Sequence, residues 1–154
     1  MSRAPEQPVD PGPHDLLLGF LALGLLARGL LGLLDAWSLG TTGVRVVGPD
    51  AAISLGGGSV GWSIGWGVAA IVAAVLVFRR RALAWLLAAA TCAAYLVTGI
   101  GEAVQITRPA EGGAPAALSL GTWAIFLVDL AAPAVLLAML FTIRPWFLAV
   151  SRSR

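Results

Sequence analysis

Four stretches of this chain, at about residues 16–39, 60–78, 83–106 and 120–143, are apolar almost without interruption. No other feature restricts the fold so severely. Each holds about 19–24 residues, and a helix needs roughly 20 to cross a hydrocarbon layer of about 30 Å. In such a layer the backbone has no water to bond, so each stretch must satisfy its own N–H and C=O groups as a helix. The composition fits lipid as the solvent: 12% of residues are charged and 58% hydrophobic, against about 25% charged in an ordinary soluble domain. The expected fold is an all-α membrane protein with four transmembrane helices over residues 16–144. Residues 1–15, with Pro5, Pro8, Pro11 and Pro13, read as a disordered cytoplasmic tail. Residues 145–154 read as a cytoplasmic or interfacial tail.

Span one is not a cleaved signal. Glu6, Asp10 and Asp15 outweigh Arg3 ahead of it, and its long apolar run contains Arg28. Orientation follows from arginine, the only basic residue used apart from His14. Arg79-Arg80-Arg81 joins spans two and three, and with Arg3, Arg144, Arg152 and Arg154 makes seven arginines on one side. The opposite side has Arg45 and Arg108. The arginine-rich side is cytoplasmic by the positive-inside rule, so both termini are cytoplasmic. Arginine without lysine, in a chain rich in Ala, Gly and Pro, points to GC-rich coding and a bacterial inner membrane. The first outer loop has two short runs, Val44–Val47 and Ala51–Leu55, around Gly48-Pro49-Asp50, which predicts a small hairpin.

The halves resemble each other. Gly32-Leu33-Leu34-Asp35-Ala36 parallels Gly99-Ile100-Gly101-Glu102-Ala103, and Ala51-Ala52-Ile53-Ser54-Leu55-Gly56 parallels Ala116-Ala117-Leu118-Ser119-Leu120-Gly121. Trp62-Ser63-Ile64 then parallels Trp123-Ala124-Ile125, at offsets that shift only within the loops. Two tandem two-helix hairpins are expected, with Asp35 and Glu102 as an outer acidic pair.

Two charges fall at mid-depth. Arg28 lies about 18 Å from the start of span one, and Asp129 about 14 Å from the start of span four, which runs the other way. An unpaired charge there costs at least about 2.5–3.5 kcal/mol, so the two are expected to pair. Arg28 lies on the small-residue stripe Gly24-Arg28-Gly32-Ala36, which favours a protein neighbour over lipid. Pro133 has no N–H and so frees the carbonyl of Asp129, four residues back. Span two carries a helix-packing face of Gly57, Gly61, Gly65, Ala69 and Ala73, each four apart.

One cysteine, Cys92, excludes an intrachain disulfide, and one histidine, His14, excludes a bis-histidine haem. No metal ligand set, cofactor motif or basic nucleic-acid face is present. Gly99-Ile100-Gly101-Glu102 resembles the Gly-x-Gly-Asp element of intramembrane aspartyl proteases. Its acid is Glu, it lies at a span end, and the family's second motif is missing, so no enzyme chemistry is assigned. The expected role is a non-catalytic accessory or assembly subunit of a larger membrane complex, with lipids and other membrane subunits or a second copy as partners. The alternative is a small ion, proton or solute transporter or channel built on Arg28 and Asp129.

The orientation has a direct test. In a Cys92→Ala background, Asp50→Cys and Gly112→Cys react with an impermeant thiol reagent added to intact cells, and Arg80→Cys does not. External labelling of Arg80→Cys would reverse the topology.

Overall fold

The computed structural model describes residues 13–48, 51–54, 58–107 and 119–152. In chain order the elements are α1 (Pro13–Thr42), β1 (Val44–Gly48), β2 (Ala51–Ser54), α2 (Gly58–Phe78), α3 (Ala82–Thr107) and α4 (Leu120–Arg152). The segments Asp15–Thr42, Ser59–Phe78, Leu83–Gln105 and Leu120–Pro145 are each long and apolar enough to cross a membrane. The architecture is that of a multi-pass membrane protein.

The helices outrun their apolar stretches for local reasons. Pro13 and Asp15 stand in the first turn of α1. A proline there loses no hydrogen bond, and a carboxylate meets the positive end of the helix dipole. Residues 13–15 are therefore helical, where the sequence reads as tail, and residues 1–12 lie outside the described part. Gly43, at φ 69°, follows the last turn of α1 and donates its N–H to Leu39. Ser119 caps α4 by accepting from the N–H of Thr122. At the other end α4 runs past Ile143, through Pro145, to Arg152. Between α1 and α2, the strands β1 and β2 pair antiparallel, Val44 opposite Ser54 and Val46 opposite Ala52, with an irregularity before Gly48 meets Ala51.

A seven-residue repeat governs the packing. The buried face of α1 carries Leu18, Ala22, Leu25, Gly29, Gly32, Ala36 and Leu39, spaced alternately four and three apart, with Leu21 buried beside them. On α4 the same spacing gives Thr122, Phe126, Asp129, Pro133, Leu136, Leu140 and Ile143, all buried except the half-buried Asp129. This period favours shallow left-handed crossings between neighbouring helices. Packing is most extensive between α1 and α2 and between α3 and α4.

Glycine sets the closest approach. A Cβ on Gly29 would fall 2.8 Å from the carbonyl oxygen of Gly67 and 2.7 Å from the Ile71 side chain. Reciprocally, a Cβ on Gly67 would lie 3.1 Å from the carbonyl oxygen of Gly29. The backbones of α1 and α2 touch here.

The turn from α2 to α3 is tight. The N–H of Arg80 bonds Val77 and that of Arg81 bonds Leu76, closing the end of α2 as a Schellman motif. Arg80 takes the left-handed position at φ 53°, where glycine is the usual residue. Its guanidinium donates to Asp15 at 2.8 Å, fastening the start of α1 to this turn.

The Gly29 contact predicts an asymmetry. Gly29→Ala must push backbone apart and should cost about 1–3 kcal/mol. Gly61→Ala meets nothing within 4 Å and should be close to neutral. Thermal unfolding of both variants in detergent checks the pair of outcomes. Equal effects would contradict the close crossing.

Candidate functional site

The structure brings Arg28 and Asp129 together. The guanidinium Nη1 of Arg28 donates to Oδ1 of Asp129, with the side chains 11% and 28% exposed. Asp129 projects from the buried face of α4. Arg28 lies one position beside the buried face of α1, next to Gly29, so its long side chain reaches around to α4. Tyr95 of α3 completes the surround. Arg28 Cζ stands 4.7 Å from the centre of its ring, a cation–π contact. The Tyr95 hydroxyl donates to the carbonyl of Arg28 at 3.4 Å.

Two glycines of the predicted stripe make this possible. A Cβ on Gly32 would lie 2.6 Å from the Tyr95 hydroxyl, and one on Gly24 would lie 2.6 Å from the Leu136 side chain. The stripe Gly24-Arg28-Gly32-Ala36 thus faces protein. The Nε of Arg28 is buried and makes no hydrogen bond among the described residues. Pro133 is buried one turn after Asp129.

Toward the β-hairpin end, a cavity starts at the ion pair and extends to Asp35 and Glu102. Asp35 is seven residues beyond Arg28 on α1, about 10 Å along the axis. Trp62, Trp66 and Tyr95 are among the aromatic walls. Trp62 donates its indole N–H to Thr98 at 3.1 Å, joining α2 to α3. Trp62 and Trp66 meet edge to face at 5.6 Å. The cavity volume is about 20 Å³, and about 10–15 Å³ is the least that holds one water. Glu102 is buried and Asp35 half-buried, and both make interactions of their own.

Toward the Arg79–Arg81 turn the bundle is closed by apolar packing. Leu21, Leu25, Val77, Leu140 and Ile143 are at most 1% exposed. Thr91 in this layer returns its hydroxyl to the carbonyl of Leu87 at 2.7 Å. Cys92 is a buried free thiol packed among them. Trp85 ties α3 to α4 by donating to the carbonyl of Leu140 at 3.1 Å, with the Arg144 guanidinium 5.0 Å from its ring centre.

On its other side the ion pair opens to a groove of about 500 Å³ between α1 and α4. Its walls include the small residues Gly24, Ala27, Ala131 and Ala132, and Arg28 and Asp129 also line it.

The predicted packing face of α2 divides. Gly57 lies outside the described residues, Gly61 and Gly65 are exposed with nothing within 4 Å, Ala69 is half-buried and Ala73 is buried. The intrachain crossing uses Gly67 instead. Tyr95 and Thr98 are not marked by the sequence, where Trp62 enters through the repeat and Trp85 as a tryptophan near a span end. The seven-residue spacing was the available signal, since it places Tyr95 between Cys92 and Gly99 on the inward face of α3. Among the described residues no group of His, Cys, Asp and Glu side chains is placed to hold a metal ion. Comparison with protein-family models, curated proteins and solved structures gives no match.

The arrangement holds a charge pair in place between α1 and α4. Removing one partner leaves the other buried and unpaired, a loss of about 3–5 kcal/mol for such pairs. Arg28→Leu and Asp129→Leu should each lower the melting temperature in detergent. The double variant should recover much of that loss, because no lone charge remains. Additive destabilisation would show that the two do not act as partners.

Proposed function

We propose that the chain is a non-catalytic accessory or assembly subunit of a larger membrane complex, seated in a bacterial cytoplasmic membrane with both termini inside. One observation carries this reading. The Asp129 carboxylate, more than a quarter exposed, lines a groove between α1 and α4 whose walls combine the small residues Gly24, Ala27, Ala131 and Ala132 with Leu and Val side chains. Lipid has no donor for such a group and disfavours it. A helix from a partner fits against Gly24, Ala27, Ala131 and Ala132 and shields the pair, as small residues permit in membrane packing. Gly61 and Gly65 offer a second uncovered small-residue face on α2.

The internal duplication belongs to the same reading. The packing of α1 on α2 and of α3 on α4 is what two related hairpins would give, and Asp35 and Glu102 line one cavity. The seven arginines, three of them in the α2–α3 turn, support the orientation. Transport is the rival, favoured by the polar cavity that leads to Asp129. Against it stand the cavity's volume of about 20 Å³ and the apolar layer beyond the ion pair.

Native mass spectrometry of the protein, gently solubilised from its own membrane, tests the proposal. The expected result is a stoichiometric assembly with other membrane chains. Ala132→Leu should release the chain from that assembly without lowering its own melting temperature. A chain that runs alone, and that conducts protons or cations in vesicles until the Arg28→Leu/Asp129→Leu double variant abolishes the flux, would replace this reading with transport.

A further inference from the structure

We propose that the lipid-facing groove between α1 and α2 is a binding site for one anionic phospholipid, its acyl chain in the groove and its phosphate on Arg79. The groove has a volume of about 590 Å³, lined by Gly19, Leu23 and Leu26 from α1, by Val75 and Phe78 from α2, and by Arg79. Its origin is geometric. The two helices touch at Gly29 and Gly67, and nearer the α2–α3 turn Gly19 has nothing within 4 Å of its Cβ position. From Leu26 to Gly19 the groove runs about 10 Å along α1, a large part of the roughly 15 Å that one leaflet contributes to a core of about 30 Å. Its walls match a hydrocarbon tail: Leu23, Val75 and Phe78 are all exposed.

The charge lies where the headgroup would. Arg79 follows the last residue of α2 and is exposed. Among the described residues Asp15 is the acid beside this turn, and it is already engaged by Arg80. Among the described residues no acid is paired with Arg79 or Arg81. The carbonyls of Leu76 and Val77, which would repel an anion at a helix end, are capped by the N–H groups of Arg81 and Arg80. A guanidinium binds phosphate through two parallel hydrogen bonds, a geometry that ammonium lacks. Arg80 holds a left-handed backbone, so the turn places arginine where glycine would be easier. Groove and charge are set end to end, as a tail and its headgroup are.

The full chain in detergent, titrated with phosphatidylglycerol or with phosphatidylcholine of identical tails, provides the test by native mass spectrometry. The expected result is one retained phosphatidylglycerol per chain, in preference to phosphatidylcholine by about tenfold: both carry the phosphodiester, but the quaternary ammonium of choline offsets its charge beside Arg79. Arg79→Gln should remove the preference while leaving weak retention of both lipids. Gly19→Leu, which fills the groove, should lower retention of both. Gly40→Leu, at a distant open position on α1 with nothing within 4 Å, should change neither. Equal retention of the two lipids by the unaltered chain would overturn the proposal. So would a preference that survives Arg79→Gln, or retention indifferent to Gly19→Leu. Melting temperatures of the variants, compared without added lipid, separate loss of the site from loss of the fold.

Discussion

A guanidinium in the middle of a helix bundle is costly unless protein groups meet it, and the arrangement of this protein follows from where Arg28 finds its partners. Asp129 supplies the countercharge from α4, and Tyr95 supplies a ring face and a hydroxyl from α3. Both can reach it because α1 is thin where they arrive: Gly24 admits Leu136, Gly32 admits Tyr95, and Gly29 lets α2 press against the backbone. One helix thereby touches the other three within about three turns. Large side chains at these positions would separate the helices and leave the arginine to lipid.

The ion pair also divides the bundle. On one side lie aromatic and acidic groups around a cavity fit for a single water. On the other lies a layer of leucine, valine, alanine and isoleucine with a silent cysteine. Polar contacts stitch both levels, from Trp62 to Thr98 near one end and from Trp85 to the Leu140 carbonyl near the other. The polar half adds directional contacts between particular helices, each interhelical hydrogen bond worth about 0.6–2 kcal/mol in a bilayer. The apolar half contributes contact without much selectivity, because lipid tails are nearly as good a solvent for leucine as another leucine is.

Much of this was legible in the sequence. Four spans follow from length and hydropathy alone, and the pairing of Arg28 with Asp129 follows from equal depth and opposite charge. The choice of helix face was harder. A four-residue stripe on α2, from Gly57 to Ala73, is the most conspicuous run of small residues, yet α1 meets Gly67, which lies off that stripe. Side chains four apart drift around a helix that packs over many turns. A seven-residue period does not drift in a left-handed bundle, and it is this period that marks Gly29, Gly67 and Asp129 as inward. The aromatic contributions were less visible, since tryptophans near span ends serve equally as interfacial anchors. Their hydrogen-bond partners depend on how the helices are rotated.

The ion pair joins residues 101 apart in the chain, and that separation has a consequence for biogenesis. At about 5–20 residues per second, Asp129 is synthesised roughly 5–20 s after Arg28. During that interval α1 must be held in or near the membrane with its arginine unmatched. The Gly29–Gly67 contact lets α2 shelter α1 early, and Tyr95 offers the first electrostatic company when α3 follows. Only with α4 is the charge met.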